Sequence, residues 1–501
     1  MLAIDRFSIG VLELGRYEGN NAVTSDLLVK EDALEFTSYV TEFSWSHSVN
    51  SPYSQATVSI LIPLRELITL GFGSYDEERK SVDLHASGQL VITETAYNDS
   101  GARTGFRRRF YGPITALNMG FKVDKAQGLR QTVPITFTAS TWLMPLMRGF
   151  IVSGKDDLDI GTAVIPYKKW QKIAEGVFSS AGEQGLTSAL NTAWDTLCKD
   201  VVNVFVSVVS GNEYYTFRKG QGEDNQQDSA DVYGRNLSQL QPPPIAGTLW
   251  GVLQNTFQAS PLIELFPSIA HWASDDDDDL STFALVYRLR PLSPRIAKHH
   301  VKHLKGSGLE GQKMDAEIPF VPTSDVPPPL EAHHVISYDL SYGDARNNYI
   351  EVTSPYTGST LLAGISCDPL YHKGDIEAYG LFRVSVPYPY IRSSNDSDAK
   401  IRDEMNDLTK YASLLYSFDH KYASGRVVTK YMEDSTLSHG DWVRWRSRGP
   451  ERDFYVGYIT KMAHSFKVDE RGVLEGVSTY NVERTQAEFI PRGGVQMSDP
   501  E

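Results

Sequence analysis

The sequence predicts a β-rich α+β fold with a mixed α/β section between two strand-rich sections. Three observations lead there. Apolar and polar residues alternate through the first 150 positions, a helical period takes over after about Tyr167, and alternation returns at about His334. With 501 residues, 41% of them hydrophobic and 22% charged, the chain can bury several cores and has an ordinary soluble composition. The expected division is 1–150, 151–334, 335–490 and a tail at 491–501.

In "QATVSILIPL", Val58, Ile60 and Ile62 share one face, the two-residue period of a half-buried strand. "LRELITLGFG" fits one short helix. "SGQLVITETAYNDSGARTGFRRRFYGPITAL" holds two strands around Asn98-Asp99-Ser100-Gly101, residues whose turn chemistry makes a hairpin. "QTVPITFTAS" alternates again, placing Val133, Ile135 and Phe137 together. Regularly spaced strands with turns between them suit a barrel or a sandwich.

"KKWQKIAEGVF" and "LTSALNTAWDTLCKDVVNVF" have helical spacing, with Leu186, Leu190, Ala193, Leu197 and Val201 on one stripe. Residues 218–241 are polar and read as a long loop. "GTLWGVLQNTF" resumes a helix, capped by Thr248 and turning Leu249, Leu253 and Phe257 inward. "LIELFPSIAHW" and "STFALVYRLRPL" are strand candidates around Asp275 to Asp279. Gly and Pro enrich 305–330, where Pro327 to Pro329 stiffen a connection.

The last section opens with "HHVISYDLSYGDARNNYIEV". Its helix is "DAKIRDEMNDLTKYASLLYSFDHKY", with Ile401, Met405, Leu408, Ala412 and Leu415 in register. "DWVRWRS", "DFYVGYITKMAHSFKV" and "GVLEGVSTYNVERT" are strands, the last two joined by a hairpin at Asp469–Gly472. Trp442 and Trp445 have opposite parity in one strand, so at most one is expected to face a core.

Five adjacent aspartates lack the alternating oxygens and glycine turn of a calcium loop, and read as a solvated loop tip. His299 and His303 could chelate a metal on a helix, but Lys298, Lys302 and Lys305 would repel a cation; His333 and His334 form a second pair. Arg107, Arg108 and Arg109, flanked by aromatics, are candidate subunit or partner contacts on an exposed strand. Cys198 and Cys367 fit no zinc or redox motif and read as two unpaired thiols. No nucleophile elbow, phosphate loop or dinucleotide fingerprint is present, so no catalytic, cofactor or metal residue is assigned and an enzyme is not expected.

Lys and Arg number 48 against 63 Asp and Glu, a formal net charge of −15. That balance argues against a nucleic-acid binder, yet suits a channel through which DNA passes without sticking. No apolar run is long enough to span a membrane, and the N-terminus does not read as a secretory signal.

Several segments, taken in order, resemble the baseplate hub proteins of tailed bacteriophages, a family that includes the hub portion of contractile injection and type VI secretion spikes. The helix with Asn255 is followed by "SPLIELFP" with Glu264 and by "LVYRLRPL" with Arg288 and Pro291. "ISYDLSYGDARNNYIEV" supplies Asp344 and Asn348, "AYGLFRVSVPYPYI" a Tyr-Gly before the last helix, and "LSHGDWVRW" a Gly-Asp leading into a strand. The likeness covers roughly 245–485. It implies two tube-like β-barrels, 1–150 and 335–490, and a homotrimer forming a pseudo-hexameric ring. It places "ELF" and "VYRLRP" in one hairpin with the aspartates as its loop.

The implied role is structural. The trimer adapts a six-fold tail tube to a three-fold central spike around the DNA channel, in the tail baseplate of a virion assembled in the host bacterial cytoplasm. Implied partners are the chain itself, a tail-tube or distal tail protein above, a spike or tail-tip protein below, and a tape-measure protein as a further candidate. The alternatives are a tail-associated cell-wall hydrolase, for which no positioned acid or nucleophile is evident, a carbohydrate-binding tail protein, and the hub portion of a secretion-type spike. No repetitive needle follows the last strand, so any spike is expected to be a separate polypeptide.

Overall fold

The computed structural model describes residues 2–3, 6–12, 33–63, 66, 73–76, 81–84, 88–97, 103–120, 122–124, 130–152, 164–166, 185–198, 206–209, 247–269, 283–292, 329–330, 334–343, 346–354, 367–391, 398–417, 419, 422–432, 437–446, 454–469, 471 and 473–488. The aspartate run, His299, His303, His333, the 218–241 segment, the "KKWQKIAEGVF" helix and all but Glu66 and Gly73 of "LRELITLGFG" lie outside them, and Gly73 begins a strand.

The N-terminal section holds β1 (Leu2–Ala3), β2 (Phe7–Leu12), β3 (Ala33–Glu35), β4 (Val40–Ser48), β5 (Gln55–Pro63), β6 (Gly73–Asp76), β7 (Ser81–Leu84), β8 (Gln89–Tyr97), β9 (Arg103–Met119), β10 (Lys122–Asp124) and β11 (Arg130–Ser140). Alternation set their faces: Val58, Ile60 and Ile62 are buried, as are Val133, Ile135 and Phe137. The hairpin read around Asn98–Gly101 is the antiparallel pair β8–β9.

The middle section begins with α1 (Met144–Arg148), β12 (Phe150–Val152), β13 (Val164–Pro166), α2 (Gly185–Ala193) and β14 (Val206–Val209). It continues with β15 (Gly247–Thr248), α3 (Leu249–Phe257), β16 (Ile263–Ile269) and β17 (Phe283–Leu289). α2 runs into a π turn over Trp194–Cys198, and Leu186, Leu190, Ala193 and Leu197 are buried. Thr248 caps α3 as read, its Oγ1 accepting from Gly251 N at 3.0 Å. β16 and β17 form the expected antiparallel hairpin, with β14 joined to β17 in parallel. Every residue of both hairpin strands is buried. Alternate residues therefore enter two cores: Leu265 and Tyr287 on one face, Phe266 and Val286 on the other.

The last section contains β18 (Pro329–Leu330), β19 (Val335–Tyr342), β20 (Tyr349–Thr353), β21 (Leu370–Tyr371), α4 (Lys373–Tyr379), β22 (Arg383–Pro387) and α5 (Asp398–Tyr416). After these come β23 (Ala423–Lys430), β24 (Trp442–Arg446), β25 (Phe454–Val468) and β26 (Val473–Glu488). Met405, Leu408, Ala412 and Leu415 turn inward as their spacing requires, into a core shared with Trp250, Leu253, Ile350 and Val352. Asp469 closes the β25–β26 turn, its Oδ1 accepting from Arg471 N and Val473 N at 2.8 Å.

Among the described residues one 15-stranded sheet runs through both ends of the chain: eleven strands follow the order β19-β23-β26-β25-β4-β5-β11-β9-β8-β2-β3, and β1, β10, β18 and β24 pair off that path. Its hinge is the antiparallel pair of β4 with β25, where Trp45 faces His464 and Phe43 faces Phe466. β25 also pairs with β24 along its first residues. Among the described residues no helix is long and apolar enough to cross a membrane.

The expectation that at most one of Trp442 and Trp445 faces a core is corrected: they are 2% and 0% exposed. Trp445 packs with Val443, Ile459 and Tyr480, and Trp442 with Val456 and Tyr458. Opposite parity does send them to opposite faces. The middle section covers the Trp442 side, because Tyr458 binds Glu264 of β16 there.

Candidate functional site: two buried charge junctions

Strand register sets Glu264 of β16 opposite Arg288 of β17. Arg288 Nε donates to Glu264 Oε2 at 3.3 Å, and Arg290 Nε lies 3.4 Å from Glu264 Oε1. From β25, the Tyr458 hydroxyl donates to Glu264 Oε2 at 2.6 Å. Arg288 Nη2 donates to the Gly440 carbonyl at 2.7 Å and to Tyr458 Oη at 3.1 Å. Gly440 has φ +86°, and a Cβ there would stand 2.7 Å from the Phe266 ring and 3.0 Å from Arg288 Nη2. Only glycine accepts both that backbone and that approach.

Arg484 completes the junction. It sits at a β26 bulge with φ 50°, in the left-handed region a non-glycine residue seldom occupies. Its Nη1 donates to the Pro291 carbonyl at 2.6 Å, and its guanidinium lies 4.6 Å from the Tyr458 ring centroid. Burial pulls the Arg290 guanidinium down, but the Glu264 charge and neighbouring acids hold it above its ordinary value. Burial first and the Glu264 charge second push the Tyr458 phenol up, so it stays a donor.

A second junction repeats the plan in the N-terminal section. Arg109 Nε donates to Glu94 Oε2 at 2.5 Å, and the Tyr431 hydroxyl donates to the same oxygen at 2.6 Å. Each junction thus takes a carboxylate from one arm of a hairpin, an arginine from the other and a tyrosine from the C-terminal section. Both carboxylates are buried and take guanidinium and phenol donors in the interior.

Arg108 and Arg109 do not lie exposed on the strand as the sequence suggests. Arg108 and Arg109 are 2% and 4% exposed. A bulge opposite Ile92 and Thr93 inserts Arg109 as an extra residue, so consecutive arginines both turn inward. Burial pulls the Arg108 guanidinium down to about 9. The Arg107 side chain lies outside the described residues. Among the described residues no cluster of three His, Cys, Asp or Glu is placed to hold a metal. Cys198 and Cys367 are free and buried, and burial raises both thiols.

The motif residues, scattered in sequence, meet in space. Glu264, Arg288, Pro291 and Gly440 form the first junction. Asn348 grips the Tyr-Gly element, its Nδ2 donating to the Gly380 carbonyl and its Oδ1 accepting from Phe382 N, both at 2.7 Å. Sequence reading missed Glu94, Tyr431 and Tyr458. Glu94 did leave a signal, since it shares the parity of Leu90 and Ile92 and is therefore an acid on an apolar face.

No protein-family profile matches the chain, and no curated protein does. Solved structures do. The 43 kDa tail protein of prophage MuSo2 from Shewanella oneidensis is similar at 10% identity, with a TM-score of 0.40, over 95% of this chain and 98% of that one. The tail protein from Neisseria meningitidis MC58 is similar at 9% identity and a TM-score of 0.38, over 95% and 96%. A Francisella PdpA–VgrG complex, half-lidded, is similar at 8% identity and 0.37, over 97% of this chain but 59% of that one. The neighbours are two tail proteins and a VgrG complex. At such identities and scores they assign no role to any residue.

Proposed function

We propose that the chain is the structural hub of a phage-tail baseplate: a homotrimer that adapts a six-fold tail tube to a three-fold central spike and surrounds the DNA channel. The observation that carries this reading is the convergence of the hub-like motifs. Glu264, Arg288, Pro291 and Gly440 are far apart in sequence, yet all join one buried junction that ties the middle hairpin to the C-terminal strands. A motif set that had matched by chance would have no reason to close on itself.

In this reading the tube-like barrels are 1–150 and 335–490, the mixed section 151–334 projects from them, and 491–501 is a tail. The two hairpins β4–β5 and β25–β26 lie side by side, each leading outward into the strands of its own section, as two related modules would. Six such modules in a trimer satisfy the tube and three chains satisfy the spike. A tube or distal tail protein binds above, a spike or tail-tip protein below, and a tape-measure protein is a further partner. The charge of −15 keeps passing DNA from adhering. A contact with another chain through Arg107 to Arg109 would form around two side chains already buried in this one. The role is mechanical, without turnover, in the virion tail.

Native mass measurement tests it. Three chains of 55.9 kDa give about 168 kDa, and particle images should show a three-fold ring with a lumen. A stable monomer, or a trimer without a lumen, overturns the proposal.

A further inference from the structure

Two buried histidines from distant parts of the chain lie face to face. The ring centroids of His47, in β4, and His439, just before β24, are 5.4 Å apart and the planes differ by 19°. The residues are 5% and 1% exposed. Phe110 of β9 stacks on His47 at 6.2 Å, and Phe266 of β16 meets His439 edge-on at 5.2 Å. The pair therefore stands where all three sections of the chain touch.

Both nitrogens of each ring are engaged. His47 Nε2 is 2.9 Å from the Arg109 carbonyl oxygen, and His439 Nε2 is 2.8 Å from the Pro267 carbonyl oxygen. A carbonyl oxygen only accepts, so each ring carries a proton on Nε2. His47 Nδ1 meets Ser54 Oγ at 2.8 Å, and His439 Nδ1 meets Ser438 Oγ at 3.3 Å. Two neutral rings satisfy all four contacts, with the serine hydroxyls donating to Nδ1.

A second proton on each ring would set two like charges 5.4 Å apart in the interior, where water screens them little. The charged groups on the elements packed against the pair do not offset both. Arg108 and Arg109 of β9, and Arg288 and Arg290 of the middle hairpin, are themselves cations. Glu94 is bound to Arg109, and Glu264 to Arg288 and Arg290. Glu42 of β4 and Lys461 of β25 are exposed. Asp441, whose Oδ2 accepts from Ser438 N at 2.8 Å, is one charge against two.

We propose that the His47–His439 stack is an acid-sensitive latch between the middle hairpin and the other two sections. It holds while at most one ring is charged and opens when both take protons. The unfolded chain binds both protons as pH falls through about 6.5, the ordinary histidine value, whereas the closed stack binds at most one. The stability it contributes is therefore complete above that value and is lost below it. This inference does not depend on the assembly or its role.

Two measurements on the full-length protein test it. The first is denaturant unfolding across the histidine range for the wild type, His47→Gln and His439→Gln. Below about pH 6 the wild-type unfolding constant should rise by up to about tenfold more per pH unit than that of either variant, the slope of one extra proton. The second is hydrogen exchange on the wild type, corrected for the intrinsic pH dependence. Amides of Ile263–Ile269 and Phe283–Leu289 should lose protection at about pH 5 relative to those of Phe454–Val468 in the same sample. Equal pH slopes in wild type and variants, or hairpin amides that keep their relative protection in acid, overturn the proposal. If the variants do not fold, the exchange result decides.

Discussion

Arg288 Nη2 donates to the Gly440 carbonyl across 2.7 Å, joining residues 152 positions apart. The same guanidinium holds Glu264, so one side chain fastens the middle hairpin both to its own partner strand and to the approach to β24. Removing it strands a buried carboxylate. Arg288→Met is expected to cost about 3–5 kcal/mol in denaturant unfolding, and the double variant Glu264→Gln, Arg288→Met clearly less. Equal losses in the single and double variants would show that the charge pair is not what matters there.

Gly440 is expected to tolerate no side chain. Gly440→Ala combines a φ of +86° with a Cβ 2.7 Å from the Phe266 ring. A loss of about 2 kcal/mol or more should appear as a lower unfolding midpoint. A control at Gly374, where a Cβ would meet nothing within 4 Å, should change stability far less.

Tyr431→Phe leaves the ring in the aromatic cluster but removes the hydroxyl that donates to Glu94. The expected loss is about 2 kcal/mol, the scale of a hydrogen bond to a charged group. An unchanged midpoint would mean that Arg109 alone satisfies that oxygen.

Asp419 supplies a pH dependence. Burial raises its carboxyl to about 6 from 3.8, against the pull of Arg484 and the Asn347 hydrogen bond. An acid whose folded value is raised contributes stability that is complete below the unfolded value and is lost as pH climbs through about 6. Asp419→Asn keeps the acceptor for Asn347 Nδ2 and removes the charge. It should raise stability by about 1–2 kcal/mol at pH 7.5, allowing for partial exposure, with the gain shrinking toward pH 4.5.

Strand periodicity and turn chemistry made most described elements legible in the sequence, from Val58-Ile60-Ile62 to the Thr248 cap. What could not be read was non-local. The pairing of Trp45 with His464 depends on register between distant strands, and no local pattern announces it. The bulge that turns Arg109 inward beside Arg108 interrupts the two-residue period of the strand, and the sequence does not mark where it falls. Parity failed differently at Trp442, where it assigns the face correctly but does not say that a second layer covers that face. The site was half legible. Glu264 and Arg288 stood in a recognisable order, while Tyr458 looked like one more aromatic in a strand.

The bond between β4 and β25 has a consequence for synthesis. β4 leaves the ribosome early, but its partner emerges about 400 residues later. At bacterial and cellular elongation rates of about 5–20 residues per second, that interval is roughly 20–80 s. Through it the nascent β4–β5 hairpin carries an open edge, Phe43 and Trp45 uncovered by Phe466 and His464. Truncated products that end before Phe454 should be the ones that precipitate or recruit chaperones.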